Sequence, residues 1–485
     1  MMTLQQALAW LPGAKLVGGD TAGDLTIQRV HTDTRTIQPG DLFVALKGDR
    51  FDANDFLLDA KAKGAVAALC HSQDQLTQAG LLDFPGLVVS DTKLALGLLA
   101  TGWRAQFKLP LIAVTGSNGK TTVTQMIAAI LRAYRPENML ATQGNFNNDI
   151  GVPLTLLRLR AHHTIAVVEL GMNHPGEIAL LAAMACPTVA LVNNAQREHL
   201  EFMSTLEAVA RENGSVIEAL PGNGVAVFPH DDTYTTLWHD LKRQRAQLTF
   251  EVAPLSSMTT TESPADILCT SVIWAHGAWQ VQAQTPVGTL AYALRIAGMH
   301  NVKNSLAAVA CTLAAGVPLD AIARGLAAFE PVKGRSRALA GFFEGHEFTL
   351  VDDTYNANPD SVRAAIDVLA ALPGPRLLVL GDMGEVGTQG PQFHAQAGAY
   401  GKAAGIESVF ALGELSQVAV THFGAGGRHF KDIGSLNTAV LAALPNVASL
   451  VVKGSRFMRM ERVVEAVMAQ SQHNLEKTNE EVPCS

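Results

Sequence analysis

A lysine and two threonines close a glycine-bearing turn, Gly116-Ser117-Asn118-Gly119-Lys120-Thr121-Thr122. The apolar run Leu109 to Val114 enters it as a strand. Val123, Met126, Ile127, Ile130 and Leu131 follow it at helical spacing. Glycines let backbone N–H groups approach a phosphate, and the helix N-terminus favours the anion. Lys120 would neutralise the outer phosphates of a nucleotide such as ATP, and the Thr121 hydroxyl would reach Mg2+. The spacing G-x-x-G-K-T is shorter than the general phosphate-loop pattern, so the strand before and the helix after carry the argument. The bland alternative is a strand–helix turn with a surface lysine.

The segments around this loop alternate strands and helices, which predicts a mostly parallel sheet with ligands at the carboxyl ends of its strands. Polar groups fall at those ends. Glu169 closes Ile165-Ala166-Val167-Val168, Asn193 and Asn194 close Val189–Val192, and His199 lies just beyond. Mg2+ takes hard oxygen ligands and keeps phosphates and water in its shell. Thr121 and Glu169 could supply the protein oxygens, unless Glu169 is merely a solvated strand end. His199 alone reads as a structural or surface histidine. Upstream, Asn145, Asn147 and Asn148 sit in a polar loop before Gly151. Asn301 and Asn304, three apart at the start of an Ala-rich helix, either cap that helix or read a base edge.

Three stretches must position these groups. Residues 1–108 read as a small α/β domain. Its Thr32-Asp33-Thr34-Arg35, Lys47-Gly48 and Asp52 are, on spacing alone, surface turns. Residues 109–332 form the nucleotide domain, with 232–290 expected as a β-rich insertion that holds a hairpin at Val272–Trp274 and Trp279–Val281. The joint Pro331–Arg335 opens a third unit, 333–485, in which the β/α alternation restarts. Asn358-Pro359 caps a helix there. Asp352–Asn358, Gly381–Glu385 and Lys453–Arg456 again follow strands, which predicts a second ligand face. Residues after about Gln470 are expected to form a loose polar tail.

Composition bounds the rest. With 485 residues, 48% hydrophobic and 16% charged, the chain can fill several cores. A net charge of −8 argues against nucleic acid or anionic membrane as a general partner. Five scattered cysteines fit a reducing cytoplasm, and no apolar run approaches a membrane span.

Taken in order, Thr115–Thr121, Glu169-Leu170-Gly171, Asn193-Asn194 with His199-Leu200-Glu201, His300-Asn301 with Asn304, and Asp353 with Tyr355-Asn356-Ala357-Asn358-Pro359 resemble the Mur ligase family over the whole chain. Within it, Asn145–Pro153, Leu42–Gly48, Gly381-Asp382-Met383 and Lys453-Gly454-Ser455-Arg456 look like members that add D-alanyl-D-alanine to UDP-N-acetylmuramoyl-tripeptide. The resemblance implies an N-terminal domain for the UDP-sugar, a central ATPase and a Rossmann-like third domain closing over them, in a cytoplasmic monomer with ATP and Mg2+. It implies that Thr34 and Arg35 touch the UDP-sugar. Asn145, Asn147, Asn148, Tyr355, Asn356 and Asn358 line the substrates. His199 serves the metal centre, and Asn301, Asn304, Arg335 and Asp353 contact the nucleotide. Lys120, Glu169 and His199 become the catalytic set.

One departure stands out. Family members commonly carry a carbamylated lysine in the helix after the His-Leu-Glu motif, and here Asn213 occupies that place, with no lysine between Thr121 and Asp240. Asn213, Glu212 or water is expected to supply the missing oxygen. Rival readings are another amino-acid-adding ligase of this architecture, such as a folylpolyglutamate-type enzyme, a phosphotransferase, and a nucleotide-gated binding module.

Overall fold

The computed structural model of the chain describes residues 1–480 apart from 49–50, 73–75, 77–80, 82, 198–202, 204, 254–263 and 276–277, with side chains as far as residue 472.

Leu111–Thr115 is buried at every position, as a strand covered on both faces must be. It lies inside a nine-stranded sheet. Ile165–Glu169 pairs with it in parallel on one side and Val189–Val192 on the other. Three strand ends therefore point the same way around the glycine loop, at the point where the chain switches direction across the sheet. The helix Lys120–Tyr134 follows, its stripe Val123, Met126, Ile127, Ile130 and Leu131 wholly buried. Gly325 lets the helix Leu319–Ala327 approach that stripe: a Cβ there would stand 2.3 Å from the Ile130 Cα.

Residues 232–290 are not an insertion. After the helix Thr235–Lys242, the strands Ala246–Val252, Ile267–Ala275, Ala278–Thr285 and Gly288–Leu294 extend the same central sheet to its edge. Their alternating burial, one face packed and one exposed, gives the Thr- and Ser-rich composition that looked like a separate unit. The expected hairpin is present, with Trp274 opposite Trp279.

The N-terminal unit is a five-stranded, mostly parallel sheet. Its last helix, Thr92–Arg104, packs against the central domain. Arg104 is buried there and donates to the carbonyls of Ala185 and Cys186. The third unit is a six-stranded sheet. His346–Asp353, Ser449–Lys453, Arg376–Gly381, Ser408–Leu412 and Gly427–Phe430 run parallel in that order, and Arg337–Phe343 pairs antiparallel at the edge. The mixed α/β, three-unit architecture agrees with the sequence reading. The C-terminal stretch differs from it: the helix Glu461–Glu480 runs past Gln470, and Ser471 is buried with its Oγ accepting from the Phe342 N–H.

Candidate active site

The strand ends of the central and third units face each other across a cleft of about 830 Å3. Ser117, Asn118, Gly119, Lys120, Thr121 and Thr122 form its floor. Gly119 holds φ +80 as the residue before the helix, and a Cβ on it would stand 2.6 Å from Asn304 Oδ1. Only glycine satisfies both demands.

Neutral amides hold the loop in place. The Asn118 N–H donates to Asn194 Oδ1 at 2.8 Å, and Asn193 Nδ2 donates to the Asn118 carbonyl and to Asn304 Oδ1. Asn304 Nδ2 donates to Asn301 Oδ1, and Asn301 Nδ2 donates back to the Ala297 carbonyl. The two asparagines thus do not cap their helix, whose N-cap is Gly298 without a side-chain bond. They line the cleft and buttress the loop. Lys120 Nζ donates to the carbonyls of Gly116 and Ser117.

Glu169 is almost fully buried. Its Oε1 accepts from Thr121 Oγ1 at 3.0 Å and from Asn147 Nδ2 at 2.8 Å. Its Oε2 is buried with no hydrogen-bond partner among the described residues. A buried carboxylate oxygen without a donor is costly unless something else comes to it. This one sits beside a threonine hydroxyl and the phosphate loop, an oxygen set that suits a hard divalent cation. Asn145 and Asn148 also line the cleft, and Asn148 Oδ1 accepts from the Gly151 N–H at the start of the next helix.

Two of the three expected sources of the missing oxygen, Asn213 and Glu212, are engaged elsewhere, which leaves water. Asn213 does not offer an oxygen to the cleft: its Oδ1 accepts from Thr115 Oγ1 at 2.7 Å and from the Gly116 N–H at 3.0 Å, and the side chain is wholly buried. Glu212 is also committed, accepting from the N–H groups of Gly176 and Ile178 at the start of another helix. His199 lies outside the described residues.

The opposite wall is ionic. Lys453 is buried and donates to Asp353 Oδ2 at 2.6 Å and to the Asn356 carbonyl at 2.9 Å. Burial works to raise the Asp353 carboxyl, but the adjacent Lys453 ammonium outweighs it and holds the group below the usual carboxylate range. Ser336 donates to the other oxygen of Asp353. The Arg335 guanidinium stacks 4.0 Å from the centre of the Tyr355 ring. Asn358 caps its helix as expected, and its Nδ2 also crosses the cleft to Asn118 Oδ1 at 2.9 Å. Thr34 and Arg35 stand apart from this cleft. Arg35 is exposed and paired with Asp33, whose carboxyl its hydrogen bonds lower to about 2.

Sequence reasoning did not single out Arg197 or Asp360, whereas Asp382 and Ser455 fall in the strand-end clusters that it read as a ligand face. Arg197 bridges to Asp360 in the third unit through its guanidinium and its backbone N–H. Asp360 carried a signal, a carboxylate in the first turn after Asn358-Pro359. Asp382 accepts from the N–H groups of Leu415 and Ser416, and Ser455 Oγ accepts from the Gly384 N–H and donates to the Ala357 carbonyl. These tie together the strand-end loops that face the phosphate loop.

Known proteins match this arrangement along the whole chain. Family models describe residues 26–103 as Mur ligase family, catalytic domain, 114–312 as Mur ligase middle domain and 339–456 as Mur ligase, glutamate ligase domain. The UDP-N-acetylmuramoyl-tripeptide--D-alanyl-D-alanine ligase of Escherichia coli K12 is 42% identical over 456 residues, covering 93% of this chain and 96% of its own. The Bacillus subtilis ligase of the same name is 32% identical, covering 93% and 96%. Among solved structures, MurF from Acinetobacter baumannii is 33% identical with a TM-score of 0.85, covering 96% of this chain and 99% of its own. MurF ligase from Thermotoga maritima, in complex with ADP, is 26% identical with a TM-score of 0.78, covering 93% and 99%. Phosphate loop, opposed strand ends and full-length likeness agree: the chain belongs to the Mur ligase family.

Proposed function

We propose that this chain is the ATP-dependent ligase that joins D-alanyl-D-alanine to UDP-N-acetylmuramoyl-tripeptide in peptidoglycan precursor synthesis. One observation carries the reading: two domains aim polar strand ends at a single phosphate loop, in a chain that matches relatives of that name over nearly its full length.

A carboxylate is a poor electrophile with a poor leaving group, so an amide cannot form from it directly. In this reading the tripeptide's terminal carboxylate attacks the γ-phosphorus of ATP, the bond to the bridging oxygen breaks, and ADP departs. The acyl phosphate then accepts the amine of D-alanyl-D-alanine. The amine loses a proton, phosphate leaves with the carbonyl–oxygen electron pair, and the amide remains. The protein's part is positioning and charge stabilisation. The N–H groups of the loop cradle the phosphates and Lys120 offsets charge on the transferring group. Arg335 and Asp353 serve the nucleotide from the opposite wall, and closure of the third domain keeps water from the acyl phosphate.

Mg2+, when bound, would neutralise phosphate charge; Thr121 Oγ1 and the unpartnered Oε2 of Glu169 fit it by donor type and position. With no lysine between Thr121 and Asp240, activity is independent of carbamylation in this reading. Depleting bicarbonate should leave the rate unchanged. Thr34 and Arg35 serve the UDP-sugar, and the enzyme works in the cytoplasm as a monomer.

The deciding experiment is phosphate release from ATP with UDP-N-acetylmuramoyl-tripeptide, with and without D-alanyl-D-alanine. Equal yields of ADP, phosphate and amide, dependent on the dipeptide, are expected. Phosphate retained on the product would make the chain a phosphotransferase. Turnover with a single amino acid in place of the dipeptide would make it another amino-acid-adding ligase.

A further inference from the structure

The proposed reaction brings a third anionic group into the cleft besides nucleotide and acceptor: the carboxylate of the incoming dipeptide. It is itself a possible nucleophile towards ATP, so it has to be held by a cation while the amine at the other end goes to the acyl phosphate. Among the described residues, five lysine and arginine side chains line the cleft, namely Lys120, Lys303, Arg335, Lys453 and Arg456. Lys120 belongs to the phosphate loop. Lys303 is paired with Asp231 at 2.6 Å, and Lys453 is buried against Asp353 at 2.6 Å. Arg335 lies flat on Tyr355 and is assigned above to the nucleotide.

Arg456 is different. Its side chain is 65% exposed, and its guanidinium carbon lies 5.8 Å from the centre of the same Tyr355 ring. Its ion-pair partner is Glu461, with Nη1 3.1 Å from Oε1. The backbone beneath it is fixed, because the preceding Ser455 is buried and bonded to the Gly384 N–H and the Ala357 carbonyl. This is an arginine on a fixed backbone that lines the cleft and is ion-paired through one nitrogen to one carboxylate oxygen. A guanidinium binds a carboxylate best through two parallel N–H···O bonds.

We infer that Arg456 receives the terminal carboxylate of the D-alanyl-D-alanine substrate, with Glu461 holding the guanidinium in place until it arrives. The inference rests on the proposed ligase reaction and extends it to a specificity determinant on the third domain. Arg335 then serves the nucleotide and Arg456 the dipeptide carboxylate, both beside Tyr355.

The test compares D-alanyl-D-alanine with D-alanyl-D-alaninamide, which keeps the amine and loses the negative charge. Phosphate release is measured for the wild-type chain, Arg456→Met and Arg456→Lys, with the KM for ATP determined in each. The wild type is expected to prefer the dipeptide by about 10- to 100-fold in kcat/KM, the usual range for a hydrogen-bonded charged group. Arg456→Met should bring the two substrates within about threefold, by losing rate on the dipeptide alone and with the KM for ATP unmoved. Arg456→Lys should fall between, because a point charge lacks the fork. Equal loss on both substrates, a raised KM for ATP, or a wild type that does not discriminate would each overturn the assignment. A wild type that releases no phosphate with the dipeptide at all would overturn the ligase reading itself, and that result is read before any variant is made.

Discussion

The two walls of the cleft are built from different chemistry. The central domain holds its phosphate loop with neutral amides: Asn193, Asn194, Asn213 and Asn304 all bond to the loop or to one another. The third domain presents charges, with the Lys453–Asp353 pair buried and Arg335 and Arg456 both beside Tyr355. Amides can fix a backbone without adding charge where a nucleotide triphosphate must bind. Their bonds also keep the same strength as that charge comes and goes. Ionic groups make good receptors for small anionic substrates, but they are sensitive to salt and pH. The central wall therefore holds its loop through neutral bonds, and the third-domain wall meets the cleft with charge.

The largest effect should come from the cation of the phosphate loop. Lys120→Ala should abolish ligation, with a loss of at least about 1,000-fold expected for a group offsetting phosphoryl charge. The thermal midpoint should stay near wild type. Turnover within about tenfold of wild type would remove Lys120 from the site.

Next in size is the amide brace. Asn213→Leu would leave the Gly116 N–H and the Thr115 hydroxyl without a partner in a buried place, at a cost of about 1–3 kcal/mol. The loop would lose its anchor, and ATP affinity should fall about 10- to 100-fold. The Mg2+ concentration for half-maximal activity at saturating ATP should stay the same. A shift in that Mg2+ requirement with unchanged ATP affinity would restore Asn213 to the metal centre and undo the neutral-wall description.

The Asn213 case shows what could and could not be read from the sequence. The loop, the strand-end Glu169 and the cap at Asn358 were legible because each follows from local rules: a strand, a turn residue and a helix period. The apolar runs Leu111–Thr115 and Ile165–Glu169 gave the parallel sheet in the same way. Asn213 was placed by position in its helix, but its partners lie about 97 residues upstream in the chain. No local pattern says which way the amide turns. The β-rich content and hairpin of 232–290 were legible, but not that these strands extend the central sheet. Their polar faces are solvent faces of an edge hairpin, which composition alone does not separate from a separate module. Arg197 and Asp360 are 163 residues apart, and only the docking of two domains brings them together.

That pair gives a smaller prediction. The bond across the cleft is bidentate, its partners are only about a quarter exposed, and the Arg197 backbone N–H adds a further contact. Asp360→Asn should weaken the closed arrangement by about 1 kcal/mol, roughly fivefold in the closing equilibrium. The KM for the second substrate should rise by about that factor. Scattering from the unliganded protein should become more extended. Raising salt should have the same effect on wild type and little on the variant. Equal salt dependence in both would show that the charged wall does not control closure.

The smallest effect belongs to a histidine behind the charged wall. His394 is wholly buried; its Nδ1–H donates to the Gly390 carbonyl, and its Nε2 accepts from the Met383 N–H at 3.0 Å. Those partners require the neutral ring. Burial lowers the His394 pKa from its ordinary 6.5, against smaller opposing influences from Gly390 and Asp382. In the unfolded chain the ring titrates near its ordinary value, so below about pH 6.5 the unfolded state binds the proton first. Stability from the neutral ring is thus present above that pH and lost as pH falls through it, with a slope of at most about 1.4 kcal/mol per pH unit. His394→Gln removes the titration. The wild type should therefore lose more denaturant resistance than the variant between pH 7.5 and 5.5. Identical losses would mean that the loop of Asp382, Met383 and Gly384 does not depend on an uncharged ring, and the charged wall would owe less to pH than its chemistry suggests.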